Sequence, residues 1–174
     1  MAVFGEQVIW HKLLKNLIKM KTSVHILLIS LLSLVITNAE TKVEKEIKQL
    51  ILDDNAYTSK NLQFKPNKIS KEGSLEFWSS GGLLHTVPQD NKVNFDVFNL
   101  HAKHIQVIEI NANSAVALYY SEGNVKPKGG EMNNHYLTRV MQVFVKEDGA
   151  WKIKAAHWSP LTGGKGTSQT ALEE

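Results

Sequence analysis

From residue 41 onward the spacing of apolar residues changes once, and that change predicts the architecture. Val43, Ile47, Leu50, Ile51 and Tyr57 recur at intervals that place them on one stripe of a helix, with Lys and Glu residues between them. Thr41 and Glu44 stand three apart at the start of that stripe, the spacing of a capping box. A helix is therefore predicted to begin within two residues of Thr41 and to end near Ser59. Residues 61–70 are polar and include Pro66, which fits a short second helix or a turn. After Ser74 the period shortens to that of strand. Residues 75–79 read as a short strand ending at Gly81-Gly82, with a helix through Trp78 and a glycine C-cap as the alternative. Residues 88–94 form a polar connection. Residues 95–109 read as a long strand broken near Asn99, 111–113 as a turn, and 114–121 as a strand rich in Val, Leu and Tyr. A loop at 126–130 then leads into a closing hairpin. A helix followed by a run of antiparallel strands is the α+β pattern, here a curved sheet wrapped over the N-terminal helix.

The hairpin, YLTRVMQVFVKEDGAWKIKAAHWS over residues 136–159, carries the most specific pattern. Two loops compete at Glu147-Asp148-Gly149. A two-residue Asp-Gly loop sets Lys152 and Lys154 opposite Val145 and Val143. A three-residue loop with Gly149 left-handed pairs Val145 with Trp151, Val143 with Ile153 and Met141 with Ala155. The second register yields one continuous apolar face, and burial favours it. The same count sets Arg139 opposite His157 at the end of that face. Two ionisable groups on an apolar wall point to a pocket, because burying them unpaired is costly.

Charge alters the picture of the first 39 residues. They hold Lys12, Lys15, Lys19 and Lys21 against Glu6 alone, whereas the rest of the 174-residue chain has 16 basic and 16 acidic residues. The formal charge of +3 thus belongs to the leader, and a nucleic-acid partner loses its electrostatic basis. Met20-Lys21 precede an apolar run over 24–36, and Thr37-Asn38-Ala39 follows it. This is the order of a secretory signal with cleavage after Ala39, and a 13-residue run, interrupted by His25, Ser30 and Ser33, falls short of a bilayer of roughly 30 Å. An uncleaved amphipathic anchor is the alternative, and Met20 is a second candidate start. The expected organisation is a leader at 1–39, one domain at 40–160 and a flexible Gly-, Ser- and Thr-rich tail at 161–174. The product is expected in the periplasm or outside the cell, without membrane attachment once cleaved. Cys is absent, which excludes a disulfide and a lipidated N-terminal Cys.

Arg139 can grip a carboxylate through its planar fork, or serve in an ion pair with Glu122 or Glu109. His157 can act as general base, donor or ligand contact, or can be a core histidine bonded to a neighbour. Met141, Val143, Ile153 and Ala155 supply apolar wall, with Tyr119 as a further lining residue. Trp78, Tyr120 and Trp158 fit core or interface positions. Trp158 is assigned to an interface because it lies on the hairpin face opposite His157. His135 and Tyr136 fit solvated edge positions. His101 and His104 are three apart on a strand, point to opposite faces and are not expected to share a metal. No cofactor is predicted. Residues 163–168, GGKGTS, lack the strand and helix that a phosphate loop needs.

Thr138-Arg139-Val140, then Asp148-Gly149, Trp151, His157 and Ser159, resemble the closing hairpin of the nuclear-transport-factor-2-like superfamily, with its SnoaL-like branch of unknown function nearest. The association domain of calcium/calmodulin-dependent protein kinase II carries a similar run. The likeness extends loosely over residues 43–159, through Phe77-Trp78-Ser79-Ser80-Gly81-Gly82 and Ala115-Val116-Ala117. It implies a cone-shaped, cystatin-like α+β fold with an apolar pocket, commonly dimeric through the outer sheet face. The superfamily includes isomerases, dehydratases, cyclases, epoxide hydrolases, binding modules and scaffolds, and its enzymes use Asp, His or Tyr residues inside the cone. The expected function is binding of a small, partly apolar ligand with an anionic or carbonyl group, held by Arg139 and His157. The alternatives are an isomerase, dehydratase or cyclase using His157 as base, with Arg139 stabilising the oxyanion, and a homodimeric association module.

Overall fold

The computed structural model describes residues 15–19 and 40–161. Residues 15–19 are helical and fall in a unit, Met1–Glu40, separate from the compact unit Thr41–Glu174. The expected signal sequence, its cleavage point and the expected tail lie outside the described residues. Among the described residues no helix is long and apolar enough to cross a membrane.

Helix α1 runs Lys42–Asn61, and the capping box forms as its sequence requires. The Thr41 backbone N–H donates to Glu44 Oε2 at 2.8 Å, and the Glu44 N–H donates to Thr41 Oγ1 at 3.1 Å. The helix runs slightly beyond Ser59 and stops where Leu62 turns left-handed and its N–H bonds back to the Thr58 carbonyl. Val43, Ile47 and Ile51 are buried, while Leu50 and Tyr57 sit half-buried at the edges of the stripe. Residues 62–70 form no second helix. They cross the molecule as an irregular segment pinned at Gln63–Asn94 and Ile69–Ile153.

Six strands follow: β1 Ser74–Phe77, β2 His85–Val87, β3 Phe95–Asn111, β4 Ser114–Pro127, β5 Asn133–Glu147 and β6 Ala150–Pro160. They form one curved sheet in the order β2-β1-β6-β5-β4-β3. The sheet is mixed, because β1 lies parallel to β6 while every other pair is antiparallel. The expected break in β3 near Asn99 occurs instead around Lys103–Gln106, where His104 adopts φ +54°. Ile47 and Ile51 of α1 pack with Ala115, Ala117, Phe144, Ile153 and Ala156 on the concave face. Glu46 fastens the helix to the hairpin by accepting from Trp151 Nε1 at 2.8 Å and Lys146 Nζ at 3.2 Å.

The hairpin takes the register that the apolar-face argument disfavours. Asp148 (φ +49°) and Gly149 (φ +79°) form a two-residue loop, which sets Glu147 opposite Ala150 and Val145 opposite Lys152. An irregularity then leaves Lys154 without a partner, so Val143 faces Ala155, Met141 faces His157 and Arg139 faces Ser159. Burial alone could not choose the register, because the residues between the expected ones are equally apolar: Val140, Phe144, Ala156 and Trp158. A loop whose backbone twist matches that of its strands is the stronger local constraint.

Gly123 is the position where the sheet tolerates no side chain. Its φ is +140°, and a Cβ there would lie 2.0 Å from the Asn99 carbonyl oxygen, inside the β3–β4 ladder. Gly149 also has a positive φ, but nothing lies within 4 Å of its would-be Cβ. Gly123→Ala is expected to cost about 3 kcal/mol in urea unfolding. Gly149→Asn should cost under about 1 kcal/mol, since Asn accepts the left-handed region. Equal losses in the two variants would show that close approach at Gly123 is not what bends the sheet.

Candidate functional site

Helix α1 and the concave sheet face enclose a cavity of about 520 Å³, within the range of small-molecule sites. Its wall is largely apolar: Leu50 and Ile51 from α1, Phe98 from β3, Phe144 from β5, and Ile153 and Trp158 from β6. Its polar groups come from four directions. Asp54 projects from the fourth turn of α1, Lys68 from the crossing segment, Glu76 from β1, and Tyr119 and Gln142 from β4 and β5.

Asp54 and Lys68 are the unusual members. Asp54 Oδ1 is buried with no hydrogen-bond partner, and its closest cation is the partly exposed Lys65 Nζ at 3.7 Å. Burial raises the Asp54 carboxyl above the ordinary carboxylate range, against the pull of Lys68 and Lys65. Lys68 Nζ sits 3.5 Å from the centroid of the Phe64 ring, and no ion pair or hydrogen bond holds it among the described residues. Burial lowers its amine despite the charges of Asp54 and Glu76. For both groups the loss of water outweighs mutual attraction, as expected of opposite charges close enough to sense each other but not in contact. The backbone at Lys68 is nonetheless fixed, because its carbonyl accepts from Ile153 N–H at 2.8 Å and the next carbonyl-to-amide bridge runs from Ile153 O to Ser70 N at 3.0 Å.

Glu76, Tyr119 and Tyr136 find partners within the fold. Glu76 accepts from Ser74 Oγ at 2.6 Å and Trp78 Nε1 at 2.9 Å. Tyr119 donates to Gln142 Oε1 at 3.0 Å, and Tyr136 donates to Ser79 Oγ at 3.3 Å. Burial pushes both phenols above their ordinary range, so they remain protonated donors at neutral pH.

Of the residues expected from sequence to line the pocket, Tyr119 and Ile153 line this cavity, joined by Trp78, Tyr136 and Trp158. Arg139, His157 and Met141 are exposed, and Val143 and Ala155 half-exposed, on the opposite, convex face of the sheet. Arg139 and His157 are not paired across the strands: Ser159 and Met141 take those places. These five still share one face, as alternation along a strand requires, and the correction is that α1 packs against the other face, with Phe144, Ile153 and Ala156. Trp158 moves the other way, from its expected interface to the cavity wall. Tyr136, expected at a solvated edge, is buried. Asp54 and Lys68 escaped sequence reading for a different reason. Asp54 lies in a helix rich in charge and Lys68 in a polar segment without periodicity. One signal was present: Asp54 falls three residues after Ile51 and four before Thr58, on the buried stripe rather than off it.

No protein-family model matches the sequence, and no match was found among curated proteins. Among solved structures, the chain is similar to a nuclear-transport-factor-2-like protein of unknown function from Pseudomonas putida KT2440. The identity is 14%, the match covers 77% of this chain and 99% of that one, and the TM-score is 0.51. It is also similar to a protein from Exiguobacterium sibiricum 255-15 assigned as a calcium/calmodulin-dependent kinase II association domain, with 15% identity over 71% of this chain and 97% of that one and a TM-score of 0.50. At such identities the likeness establishes the fold: the domain has the nuclear-transport-factor-2-like architecture that the hairpin resemblance implied.

The raised Asp54 carboxyl has a stability consequence with a definite sign. The folded chain protonates Asp54 more readily than the unfolded chain, so the group favours folding in acid and that contribution is lost as pH rises through its raised pKa. Asp54→Asn is therefore expected to melt at a higher temperature than wild type at pH 7. The difference should shrink towards zero as acid protonates the wild-type carboxyl, as followed by calorimetry. A variant less stable than wild type at pH 7 would mean that Asp54 is held by a favourable ion pair.

Proposed function

We propose that this protein is an exported domain that binds a small, partly apolar molecule inside its cone, with the ligand's polar end at Asp54 and Lys68. The observation that carries this reading is the Asp54 oxygen, buried beside a roomy apolar cavity without a hydrogen-bond partner, its only ion pair a 3.7 Å contact with Lys65 among the described residues. An unmade bond at such an atom costs about 1–3 kcal/mol, which a ligand donor would restore. Lys68 offers donors to an acceptor on the same molecule. The ligand chemistry expected from sequence, an anionic or carbonyl group on an apolar body, thus fits a lysine in the cavity instead of Arg139 and His157. Should the site be catalytic, Asp54 rather than the exposed His157 is the group placed to move a proton. The leader pattern over residues 20–39 supports export.

Native mass spectrometry of the protein recovered from the exported fraction tests these points together. It should find a chain beginning at Glu40 and, under gentle conditions, a bound small molecule that Asp54→Leu no longer retains. A chain retaining its leader inside the cell sinks the export reading. A wild-type cone that is empty, and that no member of a carboxylate and carbonyl metabolite panel stabilises against heat, sinks the ligand reading.

A second reading, self-association, is favoured by the convex face, and it is compatible with the first. The registers line up Ile108, Val116, Val143, Ala155 and Leu75 across β3, β4, β5, β6 and β1, and Leu118, Met141, His157 and Phe77 in the next row. Leu75, Phe77, Ile108, Leu118 and Met141 are all exposed there. The apolar wall found in the sequence is real, but it faces outward, where a contiguous greasy patch is the mark of an interface. A homodimer through this face places Arg139 at its border and gives Met141 and His157 interface roles. Leu118→Glu with Met141→Glu is expected to weaken the dimer tenfold or more, at roughly 1.4 kcal/mol per decade, in sedimentation velocity. A wild-type chain that sediments as a monomer at high micromolar concentration refutes the interface.

A further inference from the structure

We infer that Lys68 is a covalent anchor: its amine condenses with an aldehyde or ketone in the cone to form a protonated imine, with Asp54 as the proton donor. The inference deepens the ligand-binding reading and rests on it, choosing a carbonyl compound over a carboxylate.

Three observations carry it. Lysine ammonium groups are normally solvated or paired, yet Lys68 Nζ faces a phenyl ring and has no ion pair among the described residues. The lysine lies in the cavity wall, with its backbone locked to β6 on both sides, so the amine is presented from a rigid support. Two carboxyl groups, Asp54 and Glu76, lie near enough to act on its charge. These are the parts that imine chemistry needs: an amine whose apolar surrounding lowers its basicity, an acid near enough to act on it, and negative charge for the cation that forms. Burial shifts the two groups in opposite directions, amine down and carboxyl up, each towards its neutral form.

The balance of the step is as follows. The nitrogen lone pair forms the C–N bond as the carbonyl π pair moves to oxygen, and a proton passes from nitrogen to that oxygen to give the carbinolamine. Asp54 protonates the hydroxyl, the C–O bond breaks, water leaves, and the nitrogen lone pair forms the C=N bond. Amine, carbonyl and carboxylic acid become an iminium, a carboxylate and one water. The iminium then carries its charge near the new Asp54 carboxylate and Glu76, the two acids that act on the Lys68 amine. A carboxylate ligand would instead bring its charge to a site that already holds the carboxyl groups of Asp54 and Glu76.

Hexanal with sodium cyanoborohydride tests the inference, with hexan-1-ol as an analogue of similar size that cannot condense. Peptide mass spectrometry at pH 7 is expected to find a reduced hexyl adduct on Lys68 that forms at least about tenfold faster than on the exposed Lys45. Asp54→Asn should slow the adduct several-fold. Lys68→Arg, checked for native circular dichroism, should lose labelling within the cone and leave only surface adducts. Labelling of Lys68 no faster than of Lys45 overturns the inference, whatever hexan-1-ol does. If hexan-1-ol still raises the melting temperature in that case, ligand binding in the cone stands without the covalent step. If neither compound protects the fold, that reading fails with it.

Discussion

A helix can cover only one face of a sheet, and α1 covers the concave one. Once Ile47 and Ile51 are seated against Phe144, Ile153 and Ala156, the period of two along each strand decides the rest. Val140, Gln142 and Trp158 turn inward with Phe144, and Arg139, Met141 and His157 are sent outward. The sheet is long relative to the helix, and its far end closes over a second cluster of Phe95, Phe98, Val125 and Tyr136. The space between the two clusters is filled by neither, and it is there that the cavity opens.

The cavity places two charges of opposite sign in a setting that favours neither. Contact between Asp54 and Lys68 would have made an ordinary buried ion pair, in which attraction and hydrogen bonding offset the lost water. Held apart, each group shifts towards its neutral form. Stability is sacrificed there, and natural proteins commonly accept such losses where a site must do something. The phenols nearby carry no such strain, since Tyr119 and Tyr136 keep their protons and find acceptors in Gln142 and Ser79.

The convex face completes the account of the apolar pattern. A sheet with one wet face alternates apolar and polar residues, whereas this hairpin is apolar at nearly every position from Val140 to Val145 apart from Gln142. Such a strand has something to cover on both sides. The helix and the cone account for one side, and Leu75, Phe77, Ile108, Leu118 and Met141 stand exposed on the other.

Several elements were decided by residues close together in sequence. The capping box at Thr41 and Glu44, the stripe of Val43, Ile47 and Ile51, the turn at Asn111–Asn113 and the strands on either side of it depend on contacts within a few residues. So did the α+β order and the resemblance of the hairpin. What the sequence could not decide was which side of the hairpin faces the helix. Both faces of the hairpin carry apolar residues, and packing of Ile47 and Ile51 against Phe144, Ile153 and Ala156 decides between them. The meeting of Asp54, Lys68 and Glu76 was equally out of reach, since it joins a helix, an irregular segment and a strand through folding alone. Local spacing determines periodicity, but only closure of the sheet over the helix converts periodicity into an inside and an outside.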